Sequence, residues 1–422
     1  MKNFKALFLV LFGICAHYSC SNNSTNESGL HIVNIEEALA NVKDVKLSDY
    51  ATAINYYTLE TADSALLGTP SKIAFDKEYI YIGSTDKMKT VHIFSKDGKF
   101  IKNVGTRGRA KGEYLAIRTI VPLPDMNAVM VEGGNKAVIY SLEDGKAIMD
   151  IPFDELLTEQ ETTSRQINGR NVTSNSQNVT RIFNNGRNSF IVLTFNQKTG
   201  KQELIFTDTS LAIKNRIALR PSELSSTASY TQRGGVIKMS PMHISGSCHI
   251  INGEINFFHG MKDTLYTVNE NGITPKMAIN YGYYCNNPYQ RSEEDIWASI
   301  HHESGNLIFL DARMPLSNQQ EANSVGTAHM IYDKIKKETR LLKFSEDFIG
   351  DPYFQGGGAF LNDLDNGLPF WPVDIIGNKM YMSCDAGKFI EFSKKYNSPQ
   401  MKIVAAKLTE DSNPVLVEVI LK

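Results

Sequence analysis

The chain has 422 residues, with 44 Lys and Arg against 46 Asp and Glu and a formal net charge of −2. A nearly neutral chain without an outstanding Lys/Arg cluster lacks the electrostatic footprint of nucleic-acid binding, so we exclude nucleic acid as a partner. None of its 5 cysteines forms a Cys-x-x-Cys pair, and Cys248, Cys285 and Cys384 are widely spaced, which excludes a zinc ribbon and a dense disulfide scaffold.

The N-terminal segment has the pattern of an export signal. Two lysines precede an apolar run over Ala6–Ala16, which is too short for a membrane-spanning helix of roughly 20 residues. Ser19–Cys20 then resembles the lipobox of bacterial lipoproteins, in which the cysteine is lipidated and becomes the first mature residue. We therefore predict a signal peptide over residues 1–19 and a lipidated Cys20. An ordinary secreted protein cleaved nearby is the alternative.

The segment that follows Cys20 is polar as far as Gly29 and cannot bury a core. We predict that residues 20–30 contain the lipidated cysteine and a flexible tether. Because no second apolar run of spanning length follows, the acyl chains are the expected membrane anchor, and each buried CH₂ contributes about 0.8 kcal/mol. The predicted location is the bacterial cell envelope, with the outer membrane as the expected membrane and its periplasmic or surface face left open.

Residues 31–422 read as one all-β domain. Short runs rich in β-branched and aromatic residues alternate with Asp-Gly, Asn-Gly and Gly-Lys turn signals. Asp97–Gly98 forms a tight hairpin turn between the last two runs of the first set, since Gly supplies the positive φ that the turn needs. The runs of this set are Lys72–Phe75, Tyr79–Gly83, Thr90–Phe94 and Phe100–Val104.

Five further sets repeat this pattern at intervals of roughly 50 to 70 residues. The second set has Asp144–Gly145 in the equivalent turn, the third contains Thr199–Gly200 and the fourth Asn271–Gly272. These sets are Ile117–Leu123, Ala128–Glu132, Ala137–Ser141 and Lys146–Ile151; Thr180–Asn184, Ser189–Phe195, Glu203–Thr207 and Ile213–Leu219; His249–Asn252, Glu254–Phe258, Thr264–Val268 and Thr274–Asn280; Asn306–Asp311, Ala328–Tyr332 and Glu338–Phe344; Phe370–Ile376, Lys379–Ser383 and Lys388–Phe392.

Four-strand sets without amphipathic helices between them exclude a TIM barrel and a doubly wound fold. The sequence predicts an all-β, six-bladed β-propeller of four-stranded antiparallel blades. The sixth set lacks a fourth strand, and Met401–Thr409 after it reads as a short helix. We expect Ile54–Glu60, Pro414–Leu421 or both to complete this blade, because strands from the chain ends would close the ring and remove exposed sheet edges.

Several motifs resemble the six-bladed, NHL-like β-propeller lipoproteins of gut anaerobic bacteria. They are Leu59–Thr61 ahead of Leu66–Gly68, Ile93–Phe94 followed by Asp97–Phe100, Gly105–Tyr114, Gly358–Pro372 and Glu410–Val417. Gly105–Tyr114 is similar to the family's G-x-x-G-x-G-P-G-E-Y connector, but Ala110 replaces a glycine and Lys111 replaces the proline. The resemblance implies fold and location, and it implies little chemistry because members of this family largely lack an assigned activity.

Candidate binding residues lie in the loops that join second to third strands and blade to blade, all on one face of a propeller. Pro221–Ser247, Tyr281–Ser304 and Ala312–Thr327 are insertions in these loops, and loops beyond about 12–15 residues usually have a function. Aromatic rings beside charged groups suit sugars or peptides. The predicted ligand-binding residues are Arg107, Arg109, Tyr283, Tyr284, Tyr289, Trp297, Asp311, Arg313 and Asp385.

Structural alternatives exist for these segments. Ser292–Ile300 can form a capped helix that packs on the sheet edge, and the connector at Gly105–Tyr114 can be a turn in which Glu113 binds backbone amides. Asn362–Gly367 has some features of a calcium loop, but its glycine is one place early, so we predict a hydrogen-bonded turn. The histidines show no metal-ligand spacing. No metal and no cofactor is predicted.

Two functions remain open. The leading prediction is a non-catalytic module that binds a glycan, a peptide or an envelope protein through the loop-rich face. The alternative is a hydrolase or lyase acting on a glycan or peptide at the central channel, where Asp311, Arg313 and Asp385 follow or end second strands. No nucleophile elbow or Walker loop is present, and no catalytic residue is assigned. The oligomeric state and the disulfide status of Cys248, Cys285 and Cys384 stay open.

Overall fold

The structure is a computed structural model. It describes residues 30–67, 70–84, 90–157, 162–167, 170–175, 177–185, 189–219, 224–229, 238–243, 246–251, 253–258, 263–269, 272–284, 296–314, 326–343 and 357–422. The predicted signal peptide, Cys20 and most of the tether lie outside the described residues. None of the helices within these ranges has the length and hydropathy of a membrane span.

Six four-stranded antiparallel blades form a ring, so the predicted six-bladed propeller is confirmed. The first three blades use consecutive strands that pair in chain order. They are blade 1, β3 (Pro70–Phe75), β4 (Tyr79–Ser84), β5 (Val91–Ser95) and β6 (Phe100–Val104); blade 2, β7 (Thr119–Leu123), β8 (Ala128–Gly133), β9 (Lys136–Ser141) and β10 (Ala147–Pro152); and blade 3, β13 (Gln177–Asn184), β14 (Ser189–Asn196), β15 (Gln202–Asp208) and β16 (Ile213–Leu219).

The remaining blades complete the circle, and the last one draws a strand from the N-terminal part of the domain. They are blade 4, β19 (Ser247–Ile251), β20 (Glu254–Phe258), β21 (Thr264–Asn269) and β22 (Gly272–Asn280); blade 5, β23 (Trp297–Ser304), β24 (Leu307–Met314), β25 (Gly326–Asp333) and β26 (Glu338–Leu341); and blade 6, β27 (Asp374–Ile376), β28 (Lys379–Cys384), β29 (Val415–Leu421) and β2 (Ala51–Thr58).

Shorter elements decorate this ring. Two hairpins interrupt the connections that follow blades 2 and 3, and β1 adds a fifth strand to blade 4, parallel to β22. These elements are β1 (His31–Asn34), hairpins β11 (Thr162–Ile167) with β12 (Arg170–Asn175) and β17 (Leu224–Ser229) with β18 (Lys238–His243), helices α1 (Ile35–Ala40), α2 (Ala386–Lys395) and α3 (Pro399–Ala405), and 3₁₀ turns at Leu47–Asp49, Pro124–Met126, Phe153–Leu156 and Gly282–Tyr284.

Both predicted terminal strands close the ring. β29 pairs with β28 on one side and with β2 on the other, and the β2 register places Tyr56 opposite Val417. The edge of β29 is therefore covered by a strand that comes nearly 360 residues earlier in the chain, as the pairing of Thr58 with Val415 shows. Because hydrogen-bonded pairing fixes both ends of the domain to one blade, separating the terminal strands would open the circle.

One predicted strand is wrong. Lys388–Phe392 was expected as the third strand of blade 6, but it lies in helix α2. The Asp385 side chain caps this helix by accepting a hydrogen bond from the Lys388 amide, and Ala386, Phe389 and Phe392 are buried at intervals of three residues. That spacing matches a helical face and not a strand. The predicted short helix at Met401–Thr409 is confirmed as α3, which ends earlier, at Ala405.

Three further differences concern connections. Ala298–Ile300 belongs to β23, so the alternative of a helix through Ile300 is wrong over these residues. Thr199–Gly200 joins β14 to β15, second strand to third, and is not the turn before the outermost strand. Neither extra hairpin, β11–β12 or β17–β18, was predicted. Their sequences are mostly polar and do not alternate regularly between apolar and polar residues, so no strand pattern is visible in them.

Apolar clusters lie between neighbouring blades. Within the described residues each of six clusters joins two adjacent sheets, for example Tyr81 and Ile93 of blade 1 with Val129 and Val138 of blade 2. First strands of adjacent blades also contact each other, as β3 does with β7 and β27. They therefore surround the centre, and the second and third strands are the most completely buried.

Alternating strand direction gives the ring two faces. Loops from first to second and from third to fourth strands lie on one side, here called the turn face. Loops from second to third strands and from blade to blade lie on the other, here called the connector face. Helices α2 and α3 join β28 to β29 and therefore belong to the connector face.

Candidate functional site

Residues 105–118, here called the basic connector, join blade 1 to blade 2 on the connector face. Glu113 accepts a hydrogen bond from the Ala110 amide at 2.9 Å, and the Gly108 amide donates to the Tyr114 carbonyl at 2.9 Å. A side chain at Gly108 would collide with the Glu113 carboxylate. The alternative reading of this segment, a turn with Glu113 on a backbone amide, is therefore what the structure shows.

Blade 2 holds the basic connector in place. The Gly112 amide donates to Asp150 Oδ1 at 3.0 Å, and Tyr140 donates its hydroxyl to the Gly112 carbonyl at 2.7 Å. Lys136 bridges Asp150 Oδ2 at 2.7 Å and the Ala110 carbonyl at 2.9 Å. These bonds fix the backbone, so its side chains project from a rigid support.

Cationic side chains of this connector face solvent. Arg107, Arg109, Lys111 and Arg118 are exposed, and Leu115 is an exposed apolar side chain among them. Among the described residues, the guanidinium groups of Arg107 and Arg109 have no hydrogen bond or ion pair, whereas the acidic Glu113 is held by the backbone. The connector therefore presents positive charge and one apolar contact in a fixed arrangement.

A buried carboxyl lies beside this connector. Glu132 follows the apolar run Ala128–Val131 of strand β8, and its carbonyl accepts a hydrogen bond from the Arg118 amide at 2.8 Å. Burial raises the pKa of the Glu132 carboxyl, although the Ile182 amide and the positive charges of Arg181 and Arg118 oppose the rise. Glu132 was not predicted. A single acid at the end of an apolar run is the sequence signal that could have found it.

The aromatic part of the predicted site divides between core and surface. Tyr283 is 72% exposed, but Tyr284 packs against the core between blades 4 and 5, with the two ring centroids 5.6 Å apart. Tyr281 is buried in the same core. Tyr289 lies outside the described residues, and so do the side chains of Trp297 and Arg313. The predicted tyrosine cluster therefore contributes one exposed ring to the described surface.

Asp311 pairs with His329 between blades 5 and 6. Asp311 Oδ1 lies 3.7 Å from His329 Nε2, and the His329 Nδ1–H donates to the Gly358 carbonyl at 2.5 Å. The imidazole stacks on Trp371, with ring centroids 4.1 Å apart and an angle of 5°. This pair occupies second and third strands and lies away from the first strands that surround the channel. Asp311 was predicted as a site residue from the sequence, but its pairing with His329 was not.

The remaining predicted acids have structural partners. Asp385 caps α2. In the turn predicted at Asn362–Gly367, Asp365 accepts hydrogen bonds from Ser398, Tyr56 and the Gly367 amide. Asp363 binds the amide and hydroxyl of Ser48. Each carboxylate is thus occupied by donors of the chain itself, and no group of metal-ligating side chains occurs in the described ranges.

A cavity of about 350 Å³ opens on the turn face between blades 5 and 6. It lies where the ring closes, because β29 and β2 are not joined by the turn that other blades have there. Tyr50 on its wall donates to Asp333 Oδ2 at 3.3 Å, and Lys336 Nζ lies 5.3 Å from the Tyr50 ring centroid. Sequence patterns do not reveal this cavity, since it forms only when distant strands meet.

The family of the chain follows from its sequence over nearly the whole domain. Residues 30–419 match the family described as "Domain of unknown function (DUF4934)". The chain belongs to the DUF4934 family. No curated protein matches this DUF4934 member.

Solved structures resemble this DUF4934 member in fold. A Bacteroides fragilis protein whose name describes it as exported is 14% identical, with 93% of this chain and 99% of that one covered and a TM-score of 0.58. A DUF4221 family member from Bacteroides vulgatus is 12% identical, with 90% and 99% covered and a TM-score of 0.45. At such low identity the first similarity supports the fold alone, and the resemblance seen in the sequence is confirmed for the propeller.

Proposed function

We propose that this DUF4934 member is an exported, lipid-anchored protein of the cell envelope that binds a ligand through its connector face without chemical conversion. The observation that carries the proposal is the basic connector. Its backbone is fixed by Glu113, Asp150 and Tyr140, while Arg107 and Arg109 remain available to a partner. Arginine forks bind carboxylate, sulfate and phosphate groups in a bidentate manner, so we propose an anionic glycan or peptide as the ligand.

Preorganisation supports binding at this place. A side chain that projects from a rigid backbone loses less conformational freedom when the ligand arrives than one on a loose loop. Leu115 is an exposed apolar side chain of the same connector. Its contact with a ligand would exclude water from the ion pairs between that ligand and the two arginines. The hydrogen bonds of the connector end in backbone groups and in buried or partly buried side chains of blade 2, and none of them uses the arginine guanidinium groups.

Ligand binding is tested by thermal shift against carboxylated, sulfated and neutral polysaccharides and acidic peptides. A ligand at about 100 times its Kd stabilises a protein by about 2.7 kcal/mol, which is readily measured. We expect Arg107→Ala with Arg109→Ala to weaken binding at least about tenfold. Lys214→Ala with Lys336→Ala, at the turns before the fourth strands of blades 3 and 5, is the matched control. If the control weakens binding equally, or if no anionic probe raises the melting temperature, the proposed site is wrong.

The lipid anchor rests on the Ser19–Cys20 pattern and on the polar segment after it. The similar Bacteroides fragilis protein is named as exported, which agrees with this proposal. Mass spectrometry of the N-terminal peptide from the protein made in a Gram-negative host tests it directly. We expect an acylated Cys20 and loss of membrane association in Cys20→Ala, whereas Cys15→Ala inside the signal segment remains membrane-bound. An unmodified N-terminal peptide in the wild-type chain would contradict the anchor.

An enzyme remains a second candidate because Asp311 and His329 approach each other on the connector side of blade 5. Their 3.7 Å separation and the burial of His329 favour a structural pair over a working acid and base. Turnover of a glycan or peptide that Asp311→Asn abolishes, while the melting temperature stays within about 2 °C of wild type, would favour the enzyme.

A further inference from the structure

The cavity between blades 5 and 6 is walled by three turns and by the two strands that close the ring. Residues 305–306 join β23 to β24, residues 334–337 join β25 to β26, and residues 377–378 join β27 to β28. Tyr50, just before β2, and Leu421, at the end of β29, complete the wall. The volume of about 350 Å³ lies near the lower limit of small-molecule sites, which span roughly 300–1,000 Å³. The cavity therefore has room for one small ligand.

Two of these turns repeat the same pair of residues. The turn between the first and second strands is Gly305–Asn306 in blade 5 and Gly377–Asn378 in blade 6, and all four residues line the cavity. The glycines have φ angles of +45° and +60°, and no atom lies within 4 Å of a Cβ built on either one. Glycine suits this left-handed backbone and leaves the space beside it empty. Equivalent positions of neighbouring blades thus each supply one asparagine to the wall.

The carboxamides of Asn306 and Asn378 are unoccupied. Both residues are exposed, and no group of the described residues forms a hydrogen bond with either side chain. A carboxamide offers two donor hydrogens and an acceptor oxygen, so a pair of them suits a ligand whose groups both donate and accept. Hydroxyl groups have this property. The exposed carboxylate of Asp49 lines the same cavity and adds further acceptors.

Main-chain groups of the wall are already paired. The Asn306 carbonyl accepts from the Lys334 amide at 2.8 Å, and the Asn378 carbonyl accepts from the Leu421 amide at 2.8 Å. The Tyr50 carbonyl accepts from the next closing strand at 3.0 Å. An extended peptide binds a sheet mainly through main-chain hydrogen bonds, and these three carbonyls do not offer them. Side chains must therefore recognise the ligand.

The charges that line the cavity balance. They belong to two acids and two lysines: Asp49, Asp333, Lys336 and Lys422. Asp333 accepts from the Lys336 amide at 3.0 Å, and its carboxylate lies 3.4 Å from Lys336 Nζ. Lys422 Nζ donates to the Asp49 carbonyl at 3.2 Å. Because each ammonium group already has an oxygen partner and the charges cancel, the cavity favours a neutral ligand, in contrast to the basic connector.

We propose that this cavity binds a neutral sugar unit, with the carboxamides of Asn306 and Asn378 on its hydroxyl groups. The C–H face of a sugar ring is apolar and packs against side chains such as those of Tyr50 and Leu421, which are partly buried in the wall. This site is separate from the proposed anion site, because none of its lining residues belongs to the basic connector. The protein thereby has two places that select ligands of different charge.

Saturation-transfer NMR of the full chain tests the site with glucose, galactose, mannose, xylose and N-acetylglucosamine. A detergent without a sugar headgroup keeps an acylated chain in solution. Asn306→Ala with Asn378→Ala removes both carboxamides, and we expect the affinity for the sugar that binds best to fall at least about tenfold. The matched control is Asn135→Ala with Asn397→Ala, since these asparagines are exposed and do not line the cavity.

A second pair of variants makes the result independent of the stability of the first. Asn306→Asp with Asn378→Asp keeps the shape of both side chains but removes their NH₂ donors, so we expect a loss of affinity in the same direction. Glucuronate, an anion of similar size, is expected to bind no more tightly than glucose. Tighter binding of glucuronate overturns the assignment of a neutral ligand.

Failure of all five sugars to bind overturns the proposal, and so does an equal loss of affinity in the asparagine pair and its control. Arg107→Ala with Arg109→Ala is expected to leave sugar binding unchanged. If that arginine pair abolishes sugar binding while the asparagine pair retains it, the sugar binds at the connector and the cavity site is wrong. Failure of every anionic probe with sugar binding intact would instead contradict only the connector site.

Discussion

At the scale of single residues, ion pairs of buried side chains link neighbouring blades. Glu303 is the clearest example. Its carboxylate receives Lys276 of blade 4 at 2.8 Å and Lys334 of blade 5 on the other oxygen. Burial by itself would raise the pKa of Glu303, but the hydrogen bonds from both lysines outweigh it and hold the pKa below the ordinary value of 4.5. Lys276 also binds Glu254 at 3.1 Å, so one residue ties two sheets together.

Replacing Glu303 with glutamine leaves two ammonium groups without their central anion. We expect Glu303→Gln to lower the free energy of unfolding by about 2 kcal/mol, since breaking a mostly buried pair costs more than an exposed one. Chemical denaturation measures the change. Asp97→Asn is the control, because the Asp97–Lys99 pair is exposed, and we expect no measurable effect from it. Equal losses in both variants would contradict the role of burial.

The same residue gives a signed dependence on pH. Because the folded pKa of Glu303 is lowered, its contribution is complete above the unfolded value of about 4.5 and is lost as the pH falls through the folded pKa. We expect the difference in unfolding free energy between wild type and Glu303→Gln to be constant from pH 5 to 7 and to shrink below about pH 4.5. A difference that grows on acidification would have the wrong sign.

At the scale of elements, the turn between the third and fourth strands of blade 1 packs against the neighbouring blade 6. Gly98 adopts a φ of +84°, and a Cβ built there would lie 2.0 Å from the Thr58 carbonyl oxygen of β2. The Glu60 amide also donates to the Gly98 carbonyl at 2.8 Å. The hairpin of blade 1 therefore packs directly on the strand that closes blade 6, and glycine is required for both the backbone conformation and the close approach.

Gly98→Ala is expected to lower the free energy of unfolding by about 3 kcal/mol or more, because strained backbone and collision add. Gly253 offers a matched control, since its φ is +80° but nothing lies within 4 Å of the added Cβ. We expect Gly253→Ala to cost about 1 kcal/mol, which reflects the backbone alone. Urea unfolding of both variants separates the cost of the backbone conformation from the cost of the collision. Equal losses of unfolding free energy would show that the close contact with Thr58 contributes nothing.

At the scale of the molecule, the segment from His31 to Glu60 ties four blades together. β1 extends blade 4, and the Leu361 amide of the connection after blade 5 donates to the Val45 carbonyl at 2.8 Å. β2 completes blade 6, and Glu60 contacts blade 1. The ring is therefore closed by residues that precede its first blade.

Removing this segment should open the ring. A chain that begins at Leu59 exposes the edge of β29, whose Val415, Val417 and Val419 are fully buried in the complete domain. We expect it to aggregate in size-exclusion chromatography, because an unpaired apolar edge templates further pairing. A chain that begins at Leu30 keeps β1 and β2 and is expected to elute as a folded species. Similar elution and melting of the two chains would contradict closure by β2.

The sequence by itself determined the blade count, most strands and both closing strands. Apolar residues at every second position and glycine turns are local sequence signals. Because each blade repeats the same pattern, the signals of one blade support those of the next. The same local reasoning failed at Lys388–Phe392, where a capping Asp385 and apolar residues three apart outweighed the blade repeat. It also missed the β11–β12 and β17–β18 hairpins, whose sequences do not alternate regularly between apolar and polar residues.

Tertiary structure alone decided the surroundings of the candidate site residues. Arg107 and Arg109 were predicted from the sequence, but their exposure without an acidic partner follows from Glu113 accepting from the Ala110 amide and Asp150 accepting from the Gly112 amide. Tyr284 was expected at a rim but packs, partly buried, against a core, and Asp311 lies beside a histidine of the next strand. The physical reason is the same in each case. Strand and turn propensities act over a few residues, whereas a side chain's partners come from other strands and blades, so only closure of the ring brings them together.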